Sequence, residues 1–256
     1  MFNFRFDKRI LYVIIAIMVL KNLVQYATVE GALLTLVLTI PGVLVAITFH
    51  EFAHAFVADK LGDDTPRRQG RLNLNPLSHL DPIGSLLLLF AGFGWGKPVE
   101  VNPRNYNRKR SMEKGEALVS IAGPLMNFLL AIVFTIITCI VLNATDSRLI
   151  FWGNDMILWA PDPTAEIGIK ILLYAVSINV GLGIFNLIPL PPLDGSKVIM
   201  PFLKPKAKQF FKQNETIFYI VFVAIWLTGL AGMIITPIIN VIDSGLLKLG
   251  LSIFGL

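Results

Sequence analysis

The chain reads as an all-α polytopic membrane protein with about five to six transmembrane helices and a short re-entrant β element. Three observations carry that expectation. Hydrophobic residues fill 55% of the 256 positions against 15% charged, and the mean hydropathy is +0.69, well to the apolar side of a soluble domain of this size. The apolar residues are gathered in blocks of about 20 or more, the length that crosses a hydrocarbon core of roughly 30 Å. Most Lys and Arg side chains lie between those blocks and not inside them.

Residues 10–27 form the first expected span, with Arg5, Lys8 and Arg9 before it. That layout mimics a signal peptide, but no convincing small-x-small cleavage site follows and further spans do, so it reads as a retained anchor. Residues 32–58 form the second span, which carries Pro41-Gly42 and then His50-Glu51-Phe52-Ala53-His54. The third is expected at 116–142, the fourth at 167–188 and the fifth at 216–241. Residues 246–256 are apolar but too short to span, which suits an interfacial segment. The whole of 1–256 is expected as a single integral-membrane domain with its core at 32–195.

The 61–115 segment is not an ordinary loop. Its 83–95 portion is apolar, punctuated by glycine and too short to cross. Lys97-Pro98-Val99-Glu100-Val101-Asn102-Pro103 then alternates like a short strand bounded by prolines. Non-helical backbone at membrane depth is tolerated only where it is buried in protein or lines a wet cavity. Residues 83–103 are therefore expected as a re-entrant loop and strand beside the site. Gly92-x-Gly94-x-Gly96 lacks the spacing and setting of a nucleotide fingerprint.

Charge orients the spans. Of 22 Lys and Arg residues, three precede the first span, ten lie at 60–114 and five at 197–212. The 143–166 segment has Arg148 alone against Asp146, Asp155, Asp162 and Glu166. With five spans all three basic segments fall on one side, which the positive-inside rule makes cytoplasmic, together with the N-terminus. The net charge of +5 and the pI near 9.4 therefore reflect membrane topology and not nucleic-acid binding. Lys204 to Lys212, interleaved with Phe202, Phe210 and Phe211, reads as a segment lying on anionic lipid headgroups. The one cysteine, Cys139, has no intrachain partner and reads as a packing or lipid-facing residue.

The chemistry concentrates in the second span. His50 and His54 are one helical turn apart, so both imidazoles can reach one metal ion. They lie nine and five residues before Asp59, about 8–14 Å from the helix end at 1.5 Å per residue. Ionisable groups in a membrane helix are costly and usually mark function. Glu51 is placed to act on a water at the metal and not as a ligand. The ordinary alternative for Glu51 is a buried salt bridge, and no Lys or Arg neighbours it on its helix; for the histidines it is a satisfied core pair. A catalytic zinc keeps three protein ligands and one open position. Asp194, in Pro191-Pro192-Leu193-Asp194-Gly195, offers a hard oxygen at the matching depth, against the ordinary alternative of a helix N-cap. A metal-ion transporter would need several ligand clusters along a path, and a non-catalytic membrane-substrate-binding relative would have no need of Glu51.

His50-Glu51-x-x-His54, Asn186-x-x-Pro189 and Leu193-Asp194-Gly195 together resemble the site-2 protease family of intramembrane zinc metalloproteases. Gly70-Arg71-Leu72-Asn73-Leu74-Asn75-Pro76, Gly96-Lys97-Pro98-Val99 and Ala122-Gly123-Pro124-x-x-Asn127 are similar to stretches of its short bacterial and archaeal branch, without PDZ or CBS modules. The resemblance implies one zinc ion per chain held by His50, His54 and Asp194, with Glu51 as catalytic base. It implies hydrolysis of single-span membrane proteins within or beside their transmembrane segment, in the bilayer, with no nucleic acid involved. It makes Asn186 a candidate to hold the substrate backbone or the developing oxyanion, against the ordinary alternative of a hydrogen bond to a neighbouring helix. Independently, the alternating run places Val99 and Val101 on an edge strand that receives the unwound substrate, against the ordinary alternative of a cytoplasmic turn that positions the loop. Asn127 reads as helix glue, with Gly123 allowing close approach, and His79 as a turn-capping or interfacial residue.

Overall fold

A computed structural model describes residues 16, 19–20, 23–82, 84, 96–107, 109, 111–152 and 155–256. The first expected span and the 83–95 part of the re-entrant element lie mostly outside the described residues. Four helices among those described are long and apolar enough to cross a membrane: α1 (Ala32–Lys60), α2 (Met112–Ala144), α3 (Pro163–Leu187) and a last one, Leu230–Phe254. Ser111 caps α2 through the amide of Lys114. Asp162 caps α3 by accepting from the amides of Thr164 and Ala165, with Pro163 in the first turn, where its missing N–H costs nothing.

Helices α1, α2 and α3 pack on one another and form the core. Small residues let them approach: a Cβ on Gly42 of α1 would lie 2.9 Å from the Cα of Ala175 on α3. Two short strands, β1 (Arg148–Trp152) and β2 (Asp155–Trp159), join α2 to α3 as an antiparallel hairpin with Ile150 opposite Ile157. After α3 come a short helix α4 (Asp194–Ile199), a basic helix α5 (Pro205–Gln213), α6 (Glu215–Leu227) and α7 (Leu230–Phe254).

The structure corrects two expectations. The fifth span at 216–241 is not one helix. Gly229 adopts the left-handed conformation at φ 75° and divides the run into α6 and α7. At 13 residues, α6 is about 20 Å long, too short to cross, whereas α7 is long enough. Residues 246–254 are accordingly the last turns of a helix long and apolar enough to cross, and not a separate tail. Leu247 and Leu251 are buried with Cys139, Leu142, Ile169 and Leu173. Cys139 is thus a packing residue, close enough to α7 that a Cβ on Gly250 would lie 2.9 Å from its sulfur.

The second correction concerns the β element. The 97–102 segment is extended but forms no ladder among the described residues, where only an isolated bridge joins Leu80 to Gly96. The amides of Lys97, Val99 and Asn102 are taken by a turn carbonyl and by side chains, as described below. The ladder forms instead between α2 and α3, where Leu149, Phe151 and Leu158 pack on the apolar cluster, while Ile150, Trp152, Ile157 and Trp159 face outward.

Candidate metal centre

The i, i+4 spacing on α1 places the Nε2 atoms of His50 and His54 3.0 Å apart. Asp194 opens α4, and its Oδ2 lies 3.2 Å from each of them. Two glycines permit this. A Cβ on Gly123 of α2 would come within 2.6 Å of both imidazole rings. A Cβ on Gly195 would lie 2.2 Å from the carbonyl oxygen of Leu187, so only glycine lets α4 turn back against the end of α3 and deliver Asp194.

Hydrogen bonds fix the imidazole tautomers. The Nδ2 of Asn127 reaches the carbonyl of Ala46 at 3.1 Å and Asn179 Oδ1 at 3.0 Å. A backbone carbonyl can only accept, so Asn127 turns its Oδ1 toward His50, and His50 Nδ1 donates to it at 2.7 Å. His54 Nδ1 donates to the carbonyl of Val119, also at 2.7 Å. With both ring protons directed outward, both Nε2 atoms present lone pairs to each other and to Asp194. Three buried or half-buried acceptors gathered at one point repel, and a shared cation removes that repulsion. Bonds of about 2.0–2.1 Å at tetrahedral angles separate ligand atoms by about 3.3 Å, close to the 3.0 and 3.2 Å found here. The donor set therefore fits one zinc-like ion with a fourth position open.

Glu51 stands beside this cluster and outside it. Its Oε2 accepts the amide of Val99 at 2.9 Å. All seven residues singled out from the sequence, His50, Glu51, His54, Val99, Val101, Asn186 and Asp194, line one cavity of about 810 Å³. Its far wall comes from α6 and α7, including Phe222, Trp226 and Ile239. Asn186 donates one amide hydrogen to Leu182 of its own helix at 3.0 Å, which leaves its other polar positions to the cavity. The amide of Val99 is engaged by Glu51, so that group is not an open strand edge.

The loop carrying Val99 is anchored at several points. Lys97 donates its amide to the carbonyl of His79 at 2.8 Å and receives the guanidinium of Arg71 at its own carbonyl. The amide of Asn102 meets Asp63 Oδ2 at 2.6 Å, and Asn105 Nδ2 meets Oδ1 at 2.9 Å. Burial alone would raise the pKa of Asp63, but hydrogen bonds from Thr65, Asn102 and Asn105 hold its carboxyl below the usual range. His79 is fully buried and bonds to the carbonyl of Asn73 at 2.8 Å, a turn-holding role.

Sequence reasoning missed the partners that orient the histidines. Asn127 is more than helix glue, and its position four residues after Gly123 puts both on the face that meets the rings. The carbonyl of Val119 has no sequence signature.

A family model, Peptidase family M50, matches residues 38–229. YwhC of Bacillus subtilis, named as a candidate zinc metalloprotease, is 38% identical over 212 residues, covering 82% of this chain and 90% of its own length. Rip2 of Mycobacterium tuberculosis, named likewise, is 33% identical over 203 residues, or 75% of this chain and 69% of that protein. MJ0611 of Methanocaldococcus jannaschii, also so named, is 29% identical over 198 residues, or 77% and 86% of the two chains. No solved structure matches this chain. With three quarters of its length under one family model and its buried histidine–aspartate cluster inside that match, the chain belongs to peptidase family M50, the site-2 protease family, and is a multi-pass membrane metalloendopeptidase.

Proposed function

We propose that the protein is a zinc-dependent intramembrane endopeptidase that cleaves single-span membrane proteins within or beside their transmembrane segment. The observation that carries this reading is the convergence of His50, His54 and Asp194 beside Glu51 in an apolar cavity bounded by spans. His50, His54 and Asp194 hold the zinc ion, with Asn127 and Val119 orienting the two imidazoles. Zinc bound there supplies Lewis acidity toward the scissile carbonyl and lowers the pKa of a water toward about 7. Glu51 takes the proton of the attacking water and returns it to the leaving amine. The Val99 amide fixes one oxygen of Glu51 and leaves the other for the proton.

Peptide-bond hydrolysis needs an extended backbone, because a helix hides its carbonyls in hydrogen bonds. A transmembrane substrate must therefore unwind, and each unpaired group in hydrocarbon costs several kcal/mol. Asn186 and the extended backbone around Val101 supply partners to those groups. The three basic segments, at the N-terminus, at 60–114 and at 197–212, face the cytoplasm of a cell membrane, so the site opens near the cytoplasmic face.

Comparing membrane proteomes of cells carrying wild type and Glu51→Gln tests the activity. A single-span protein that accumulates uncut only with Glu51→Gln is the expected result; identical proteomes would remove the intramembrane reading. Impermeant thiol labelling in intact cells tests the orientation, with a cysteine at position 150 labelled and one at 206 protected.

A further inference from the structure

Arg71 lies outside the spans, yet it is only 5% exposed. The left-handed Gly70 at φ 64° ends the preceding helical turn and directs the chain inward. The Nη2 of Arg71 donates to the carbonyl of Lys97, while its Nη1 is buried with no hydrogen-bond partner among the described residues. Burying a guanidinium on one carbonyl is unfavourable unless anionic groups compensate. Burial lowers the pKa of the Arg71 guanidinium, and the charges of Glu51 and Glu100 offset part of that effect.

Both polar groups of Lys97 are held, the carbonyl by Arg71 and the amide by His79. In extended backbone the polar groups of residues two apart point the same way. Fixing residue 97 therefore aims the amide of residue 99, and that amide meets Glu51 at 2.9 Å. We infer that Arg71 is a positioning residue for the catalytic base, acting through the Lys97 carbonyl and the Val99 amide on Glu51. The inference deepens the proposed function, because it rests on Glu51 being the base. A planar guanidinium suits this role, since it holds the Lys97 carbonyl with one nitrogen while keeping its charge near Glu51.

Backbone amide exchange in the purified protein tests the link without reference to activity. Arg71→Gln should speed exchange at both Lys97 and Val99 at least tenfold, with Arg71→Lys restoring part of the protection. Glu51→Ala should speed exchange at Val99 alone. In the same preparations Arg71→Gln should keep the zinc content of wild type. Its kcat on dye-labelled casein in detergent should fall at least tenfold, with KM changed less than twofold. Adding Arg71→Gln to Val99→Pro, which already lacks the amide, should cost little more. Unchanged Val99 exchange in Arg71→Gln overturns the inference, as do additive losses in the double variant. Lost zinc or lost protection across the spans would make Arg71 a folding residue and overturn it equally. The exchange arm stands whether or not casein is cut, so its failure is separable from failure of the peptidase reading.

Discussion

The two ends of the bundle are built by different means, although α2 and α3 run through both. At the end carrying Glu51, glycine at 123 and 195 and a chain of side-chain hydrogen bonds through Asn127 and Asn179 set the geometry. At the other end, Cys139, Leu142, Ile169, Leu173, Leu247 and Leu251 make an apolar cluster under the hairpin. Directional bonds at close glycine contacts hold atoms to a fraction of an ångström and tolerate no added carbon. Apolar packing is less directional and accepts change at a graded cost. Placement of ligands belongs to the first end and cohesion of the helices to the second.

The largest test of that division is Glu51→Gln, which should lower peptide hydrolysis by about 10²–10⁴-fold with zinc content unchanged by metal analysis. Retained turnover in the zinc-loaded variant would remove Glu51 as the base. Next comes Gly195→Ala, where the new methyl meets the Leu187 carbonyl. Zinc should fall well below one per chain, as in Asp194→Ala, and a full complement in either would remove Asp194 from the ligand set. Asn127→Ala should weaken zinc affinity about 10–100-fold, read from competition with a chelator; unchanged affinity would reduce Asn127 to helix packing. At the opposite end, Leu247→Ala should cost about 2–5 kcal/mol of stability in a thermal melt and leave zinc content and turnover as in wild type below the transition. A loss of zinc there would mean the two ends are not separable.

The smallest effect is in the loop. The folded pKa of Asp63 is depressed, so its contribution is present above the unfolded value of about 3.9 and is lost as pH falls through the folded value. Proteolytic nicking at 97–107 should therefore rise only in strong acid, and in Asp63→Asn it should be raised already at neutral pH.

The convergence of residues at the candidate metal centre was largely legible in the sequence, and the apolar end was not. His50 and His54 announced themselves by spacing, Glu51 by adjacency, and Asp194 by its depth and its glycine. Hydropathy located the blocks at 32–58, 116–142 and 167–188 because it reports composition. It does not report where a helix breaks, so the apolar run through Leu227, Thr228 and Gly229 concealed the break at Gly229, and the last turns of α7 looked like a tail. The hairpin was missed although Arg148-Leu149-Ile150-Phe151-Trp152 and Asp155-Met156-Ile157-Leu158-Trp159 are matched runs of strand formers flanking Gly153-Asn154. The groups that His54 and Arg71 meet, the carbonyls of Val119 and Lys97, are backbone atoms, which every residue carries and no sequence marks.

Helix α2 is 33 residues long. Val119, which meets His54, is seven residues from its start, and Leu142 is two from its end. About 35 Å of rod thus separates the reacting level from the outer cluster, with only about 10 Å on the other side. A substrate helix of about 20 residues lying alongside would be cut well off centre. The fragment leaving on the near side would carry few apolar residues and pass into water. The other would keep most of its span and remain in the lipid. On the proposed reading, the asymmetry of one helix would thereby decide which product is released and which is retained.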